Sequence, residues 1–147
     1  MIKLKHVTCL ILMWVTGFLE KAKAQDFLRQ SLATVEQELK SEKAKYNLIA
    51  LTEGSTIVLI EGTDTSVWKF DANNICYEYS LTIDKASYFQ LKKHLESVGQ
   101  MVMKNAYVNR RENTITYLSF QDNALVVNTK PFDASSSTPP VLMTSAE

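Results

Sequence analysis

From Trp68 to Asp84 the chain reads WKFDANNICYEYSLTID. Strand-forming runs at 66–70 and 75–83 flank Asp71-Ala72-Asn73-Asn74, a four-residue segment made almost wholly of turn formers. Pairing Phe70 with Ile75 would place Trp68 opposite Tyr77 and Ser66 opposite Tyr79. Successive strand side chains point to opposite faces. One face then carries Trp68, Phe70, Ile75, Tyr77, Tyr79, Leu81 and Ile83, and the other carries Lys69, Cys76, Glu78, Ser80 and Thr82. Such alternation predicts a half-buried antiparallel sheet.

Upstream, strand-like runs at 46–52 and 56–61 are separated by Glu53-Gly54-Ser55 and followed by Gly62-Thr63-Asp64, the chemistry of hairpins. Before them, Leu28, Leu32, Val35 and Leu39 recur at steps of four, three and four. This spacing predicts an amphipathic helix over 26–45, capped by Asp26 and supported by a Glu36–Lys40 pair. Downstream, Ser87-Tyr88-Phe89-Gln90 has the form of a capping box. Tyr88, Leu91, Leu95, Val98 and Val102 then form an apolar stripe, so the spacing predicts a second helix that tolerates Gly99 and stops near Asn105. Runs at 107–110, 114–120 and 124–129 complete the pattern, with Glu112-Asn113 and Gln121-Asp122-Asn123 as turns and Asn expected at positive φ.

Tight turns make antiparallel neighbours. The expected fold is therefore α+β: a mainly antiparallel sheet of short hairpins with two helices packed on one face. No internal repeat is evident, although the turn-linked strands before and after the second helix have a superficial symmetry.

The termini read differently. Lys3, Lys5 and His6 precede an uncharged apolar run at 7–19, and Ala22-Lys23-Ala24 follows as a small-x-small cleavage pattern before Gln25. Thirteen apolar residues span about 20 Å as a helix, short of a ~30 Å hydrocarbon core. Residues 1–24 are thus expected to be a signal peptide cleaved between Ala24 and Gln25, with the product periplasmic or secreted and without stable membrane insertion. Cys9 lies too early in the apolar run to be a lipidated cysteine. Residues 25–130 form the expected domain, and the Ser/Thr/Pro-rich residues 131–147 a flexible tail.

From Gln25 onward the chain keeps 12 of its 16 Lys and Arg and 15 of its 16 Asp and Glu, a net charge of −3. No basic cluster exceeds a pair, which argues against a nucleic acid partner. Only Cys76 and His94 remain of their kinds. That excludes an internal disulfide, a paired-imidazole metal site and a zinc knuckle. The glycines Gly54, Gly62 and Gly99 are isolated, so no phosphate loop is present, and no cofactor is implied.

Two site readings remain. Trp68, Phe70, Tyr77 and Tyr79 are candidates to line a groove on the sheet, or to be core. Cys76 with His94 as base, and Lys69 opposite the thiol, would be the elements of a thiol enzyme. Cys76 lies mid-strand, where a small semi-buried side chain is the commoner role.

The segment WKFDANNICYEYSLTID, a helix and YVNRRENTITYLSF resembles the aromatic-rich strand, helix and hairpin of small exported bacterial proteins of uncharacterised family. The resemblance implies an α+β fold and export, and no site residues. The Q-x-V-x-G loop of cystatin-like inhibitors does not occur. The sequence favours an exported, non-enzymatic module for an unidentified protein or small ligand, with a homodimer left open. The alternatives are the Cys76 enzyme and an envelope component anchored by an uncleaved N-terminus.

Overall fold

The computed structural model describes residues 27–133. The expected signal peptide with Ala22, Ala24 and Gln25, and the tail beyond residue 133, lie outside those residues. Within them the order is α1 (Leu32–Ser41), β1 (Tyr46–Leu51), β2 (Gly54–Glu61), β3 (Asp64–Phe70), β4 (Cys76–Asp84), a 3-10 turn (Lys85–Ser87), α2 (Tyr88–Val98), β5 (Gln100–Met103), β6 (Ala106–Asn109), β7 (Thr114–Gln121) and β8 (Ala124–Pro131). This is an α+β fold.

All eight strands join one antiparallel sheet in the order β1-β2-β3-β4-β8-β7-β6-β5. The chain lays down a helix and a four-stranded meander, then a second helix and a second meander. The last strands of the two meanders pair at the centre. The symmetry that looked superficial in the sequence is therefore the plan of the sheet, a pseudo-two-fold between β4 and β8.

Register shows where the core lies. One row of facing residues runs Leu48, Ile57, Trp68, Tyr79, Thr129, Thr116, Tyr107 and Met101 across the sheet. A neighbouring row contains Leu59, Leu81, Val127 and Leu118. These rows hold half of the buried core cluster, and Val35 and Leu39 of α1 and Leu95 of α2 belong to the same cluster. Thr116 and Thr129, the polar members at the centre, share a hydroxyl hydrogen bond of 3.0 Å. The pair is satisfied where it is buried.

The turns form as their residues demand. Asn74, Asn105, Asn113 and Asp122 adopt φ between +52° and +60°, a region that Asn and Asp tolerate better than most residues. The Glu36–Lys40 pair forms at 3.3 Å. Tyr46 also donates to the Glu36 carboxylate at 2.7 Å, tying α1 to β1.

Three expectations are corrected. First, α1 begins at Leu32 rather than 26, with Ser31 Oγ accepting from Thr34 N at 3.2 Å as the cap. The preceding residues are drawn into pairing with β4: Arg29 N donates to Cys76 O at 2.8 Å and Cys76 N to Gln30 O at 2.9 Å. Second, α2 ends at Val98, and 100–103 form β5 instead of a last helical turn. A Cβ on Gly99 would lie 2.9 Å from the Val108 carbonyl oxygen, so the absent side chain lets the chain leave the helix against β6. Ser87 makes no side-chain cap, because it closes the 3-10 turn that Asp84 caps through Ala86 N at 2.7 Å.

The third correction concerns register. Phe70 faces Cys76 rather than Ile75, and Lys69 faces Glu78, so Tyr77 is the extra residue of a β-bulge. Asp71 causes the shift by accepting from both Asn73 N and Ile75 N at 2.9 Å, which draws Ile75 into the turn. Trp68 consequently faces Tyr79 and Ser66 faces Leu81.

Candidate functional site

The aromatic residues singled out in the sequence do not share one accessible surface. Trp68, Phe70 and Tyr79 are buried, and Trp68 stands between Phe27 and Tyr79 at centroid distances of 5.8 and 5.5 Å. Burial holds the Tyr79 phenol well up, to about 12, and its oxygen shares a 3.3 Å hydrogen bond with Ser66 Oγ. Tyr77, displaced by the bulge, is 45% exposed. The groove they would have lined is packed core.

Cys76 also changes place. Its expected neighbour Lys69 faces Glu78, while Cys76 faces Phe70 on the core side. The thiol is 1% exposed, and its loss of solvent pushes it up to about 11, away from the thiolate that a nucleophile needs. The thiol donates to the Glu78 carbonyl oxygen, Sγ to O 3.7 Å. His94 lies on the exposed part of α2. We expect alkylation of Cys76 in the folded protein to be at least about a hundredfold slower than that of free cysteine, because burial both shields the thiol and disfavours its thiolate. Peptide mapping after timed iodoacetamide treatment, with and without denaturant, checks this. Equal rates in both conditions would contradict the burial.

The second face of the sheet, opposite the core rows, holds the notable electrostatics. A row of facing residues runs Ile49, Thr56, Lys69, Glu78, Lys130, Ile115 and Val108. At its centre Glu78 is 6% exposed and receives Lys69 Nζ at 2.7 Å and Lys130 Nζ at 2.9 Å. Both lysines remain close to half exposed. The next row contains Val58, Val67, Ser80, Asn128 and Tyr117, with Asn128 Nδ2 donating to Ser80 Oγ at 3.0 Å. Asn128 Oδ1 is buried without a hydrogen-bond partner.

Glu78 is decided by competition. Burial raises its carboxyl, whereas Lys130, Lys69 and Asn128 together outweigh that and hold it below the usual carboxylate value. Two cations around one anion leave one positive charge on a face built of regular strands. Among the described residues no group of three His, Cys, Asp or Glu could hold a metal ion.

A carboxylate with a depressed folded-state pKa contributes stability that is fully present above its unfolded value. That stability is lost as pH falls through the folded value. Glu78→Gln should therefore destabilise by about 1–2 kcal/mol at pH 7, a figure reduced because both lysines keep access to water. The difference should shrink below pH 4.5, the ordinary value for Glu. Urea titrations of both proteins at pH 7 and pH 3 check it, and parallel pH profiles would count against the role of the ion pairs.

Sequence reasoning placed Lys69 and Glu78 on one side of the hairpin but missed their pairing and missed Lys130 altogether. The first depends on the bulge, and the second on β8, which is remote in sequence. Comparison with protein-family models, curated proteins and solved structures finds no match to this chain.

Proposed function

We propose that this chain is an exported, non-catalytic interaction module that engages a protein partner through the second face of its sheet. The observation that carries this reading is the ionic row Lys69–Glu78–Lys130, held across three adjacent strands with a surplus positive charge and two half-exposed ammonium groups. An acidic side chain of a partner could accept from both lysines without disturbing Glu78.

On this reading both helices pack on the core face. Phe27, just before α1, touches Trp68, and Tyr88 of α2 touches Phe120 at 5.1 Å, while register puts Trp68 and Phe120 on the same side. Strand placement supports a binding role because regular strands position side chains more rigidly than loops. The buried Cys76 thiol argues against the thiol-enzyme reading. Among the described residues no helix is long and apolar enough to cross a membrane.

Thr82→Arg tests the face. Thr82 is half-buried on the second face, one row beyond Ser80, and touches none of the ion pairs. Affinity capture from an envelope extract, with wild type and variant side by side, should recover a stoichiometric partner only with wild type, at unchanged melting temperature. Equal capture by both would overturn the proposed face. N-terminal sequencing of the exported protein should begin at Gln25, and an intact N-terminus would favour the anchored alternative.

A further inference from the structure

A buried carboxylate needs one cation to balance it, and Glu78 has two. Lys69 Nζ takes Oε1 at 2.7 Å from β3, and Lys130 Nζ takes Oε2 at 2.9 Å from β8. The Glu78 side chain is 7% exposed and forms a floor, whereas the lysine side chains, 43% and 47% exposed, form a rim. Asn128, which also acts on Glu78, is neutral. Two ammoniums against one carboxylate leave the cluster a net charge of +1.

An ammonium has three donors, and one from each lysine goes to Glu78. Because each nitrogen holds a different oxygen of one carboxylate, the pair is spaced by that carboxylate's own bite. A second carboxylate arriving from solvent meets the same spacing and accepts one charge-assisted bond from each lysine. Charge then decides what can stay. Attraction to the cluster grows in proportion to a ligand's charge, while the cost of desolvating the ligand grows with its square. A cluster held at +1 by the carboxylate beneath it therefore favours one negative charge over two. We propose that Lys69 and Lys130 seat one carboxylate, that of an Asp or Glu side chain on the partner, and that Glu78 sets the preference for a monoanion over a dianion. This rests on the second face being the binding face.

Titration of the isotope-labelled exported chain with sodium acetate or sodium sulfate at pH 7 tests it through the lysine Cε–Hε signals, with ionic strength held by chloride. Acetate should shift the Lys69 and Lys130 signals together and saturate them in the millimolar range, with the other lysines unsaturated. Sulfate should need at least about threefold more. Lys69→Gln or Lys130→Gln should weaken acetate binding about tenfold, the worth of one charge-assisted bond. Glu78→Gln separates selection from packing. A purely structural Glu78 would leave that variant binding both anions more weakly. Losing the charge selector should instead tighten sulfate about tenfold and acetate less, reversing the preference. Acetate at saturation should also release a partner captured on this face. The proposal is overturned if the two lysines respond no more than the others, or if wild type prefers sulfate. It is equally overturned if Glu78→Gln weakens both anions, or if the captured partner stays bound in saturating acetate. The free anions need no partner, so the titration and the capture experiment succeed or fail separately.

Discussion

Trp68→Ala is expected to lower the stability of the domain by about 3–5 kcal/mol, the range for truncating a large buried aromatic side chain. Trp68 is 1% exposed at the centre of the core row, with Ile57 and Tyr79 as cross-strand neighbours and Phe27 against its ring. Removing it leaves a cavity that these neighbours cannot close, because each is held by its own strand or ring contact. Domains of this size have only about 5–15 kcal/mol in total. The variant should therefore be partly unfolded at 37 °C or melt at least about 12 °C below wild type. Trp68→Phe should recover more than half of the loss. Thermal melts followed by circular dichroism measure both. A melting temperature within a few degrees of wild type for Trp68→Ala would mean that the ring is not buried in solution.

The second large effect is expected at Gly54, the first residue of β2. Its φ is +147°, and a Cβ there would lie 2.0 Å from the carbonyl oxygen of Phe70. That oxygen is backbone in β3, so no side-chain rotation relieves the clash. Gly54→Ala should cost about 2–4 kcal/mol, combining backbone strain with displacement of the β1–β2 hairpin. Gly62 supplies the control. Its φ of +63° is also left-handed, but nothing lies within 4 Å of a Cβ there, so Gly62→Ala should cost only about 1 kcal/mol. Hydrogen exchange should locate the Gly54→Ala damage in β1 and β2. Equal costs at the two glycines would remove the close approach from the explanation.

The same two residues show why some features were readable and others were not. The strand containing Trp68 was evident from its alternation, and the turn after it from Asp71 and the two asparagines. Gly54 was marked as a turn residue, yet nothing nearby in sequence announces the Phe70 carbonyl against it. Likewise Gly99 reads as a tolerated helix glycine until β6 is seen beside it. The helical reading runs past Val98 for that reason, since Met101 and Val102 continue its stripe, but Gln100 pairs with Val108 and Met101 with Tyr107 once β6 is adjacent. The alternation leaves the aromatic set as core or groove; the structure makes Trp68, Phe70 and Tyr79 core, and the bulge separates Tyr77 from them.

The candidate site divides in the same way. Lys69 and Glu78 were on the correct side in the sequence, but an unshifted register put Lys69 against Cys76. One extra residue at Tyr77 moved the thiol into the core and brought Glu78 to the lysine. Such a slip changes which side chains share a face, because the strand period is two.

What the chain determined unaided was local: the strands and turns, most of both helices, and the α+β class that follows from them. These depend on periodicity and turn chemistry, which operate over a few residues. Strand order, the central β4–β8 pairing, the bulge and the arrival of Lys130 beside Glu78 were decided only in three dimensions. They turn on which distant backbones and side chains meet, and the sequence pattern is degenerate with respect to that choice.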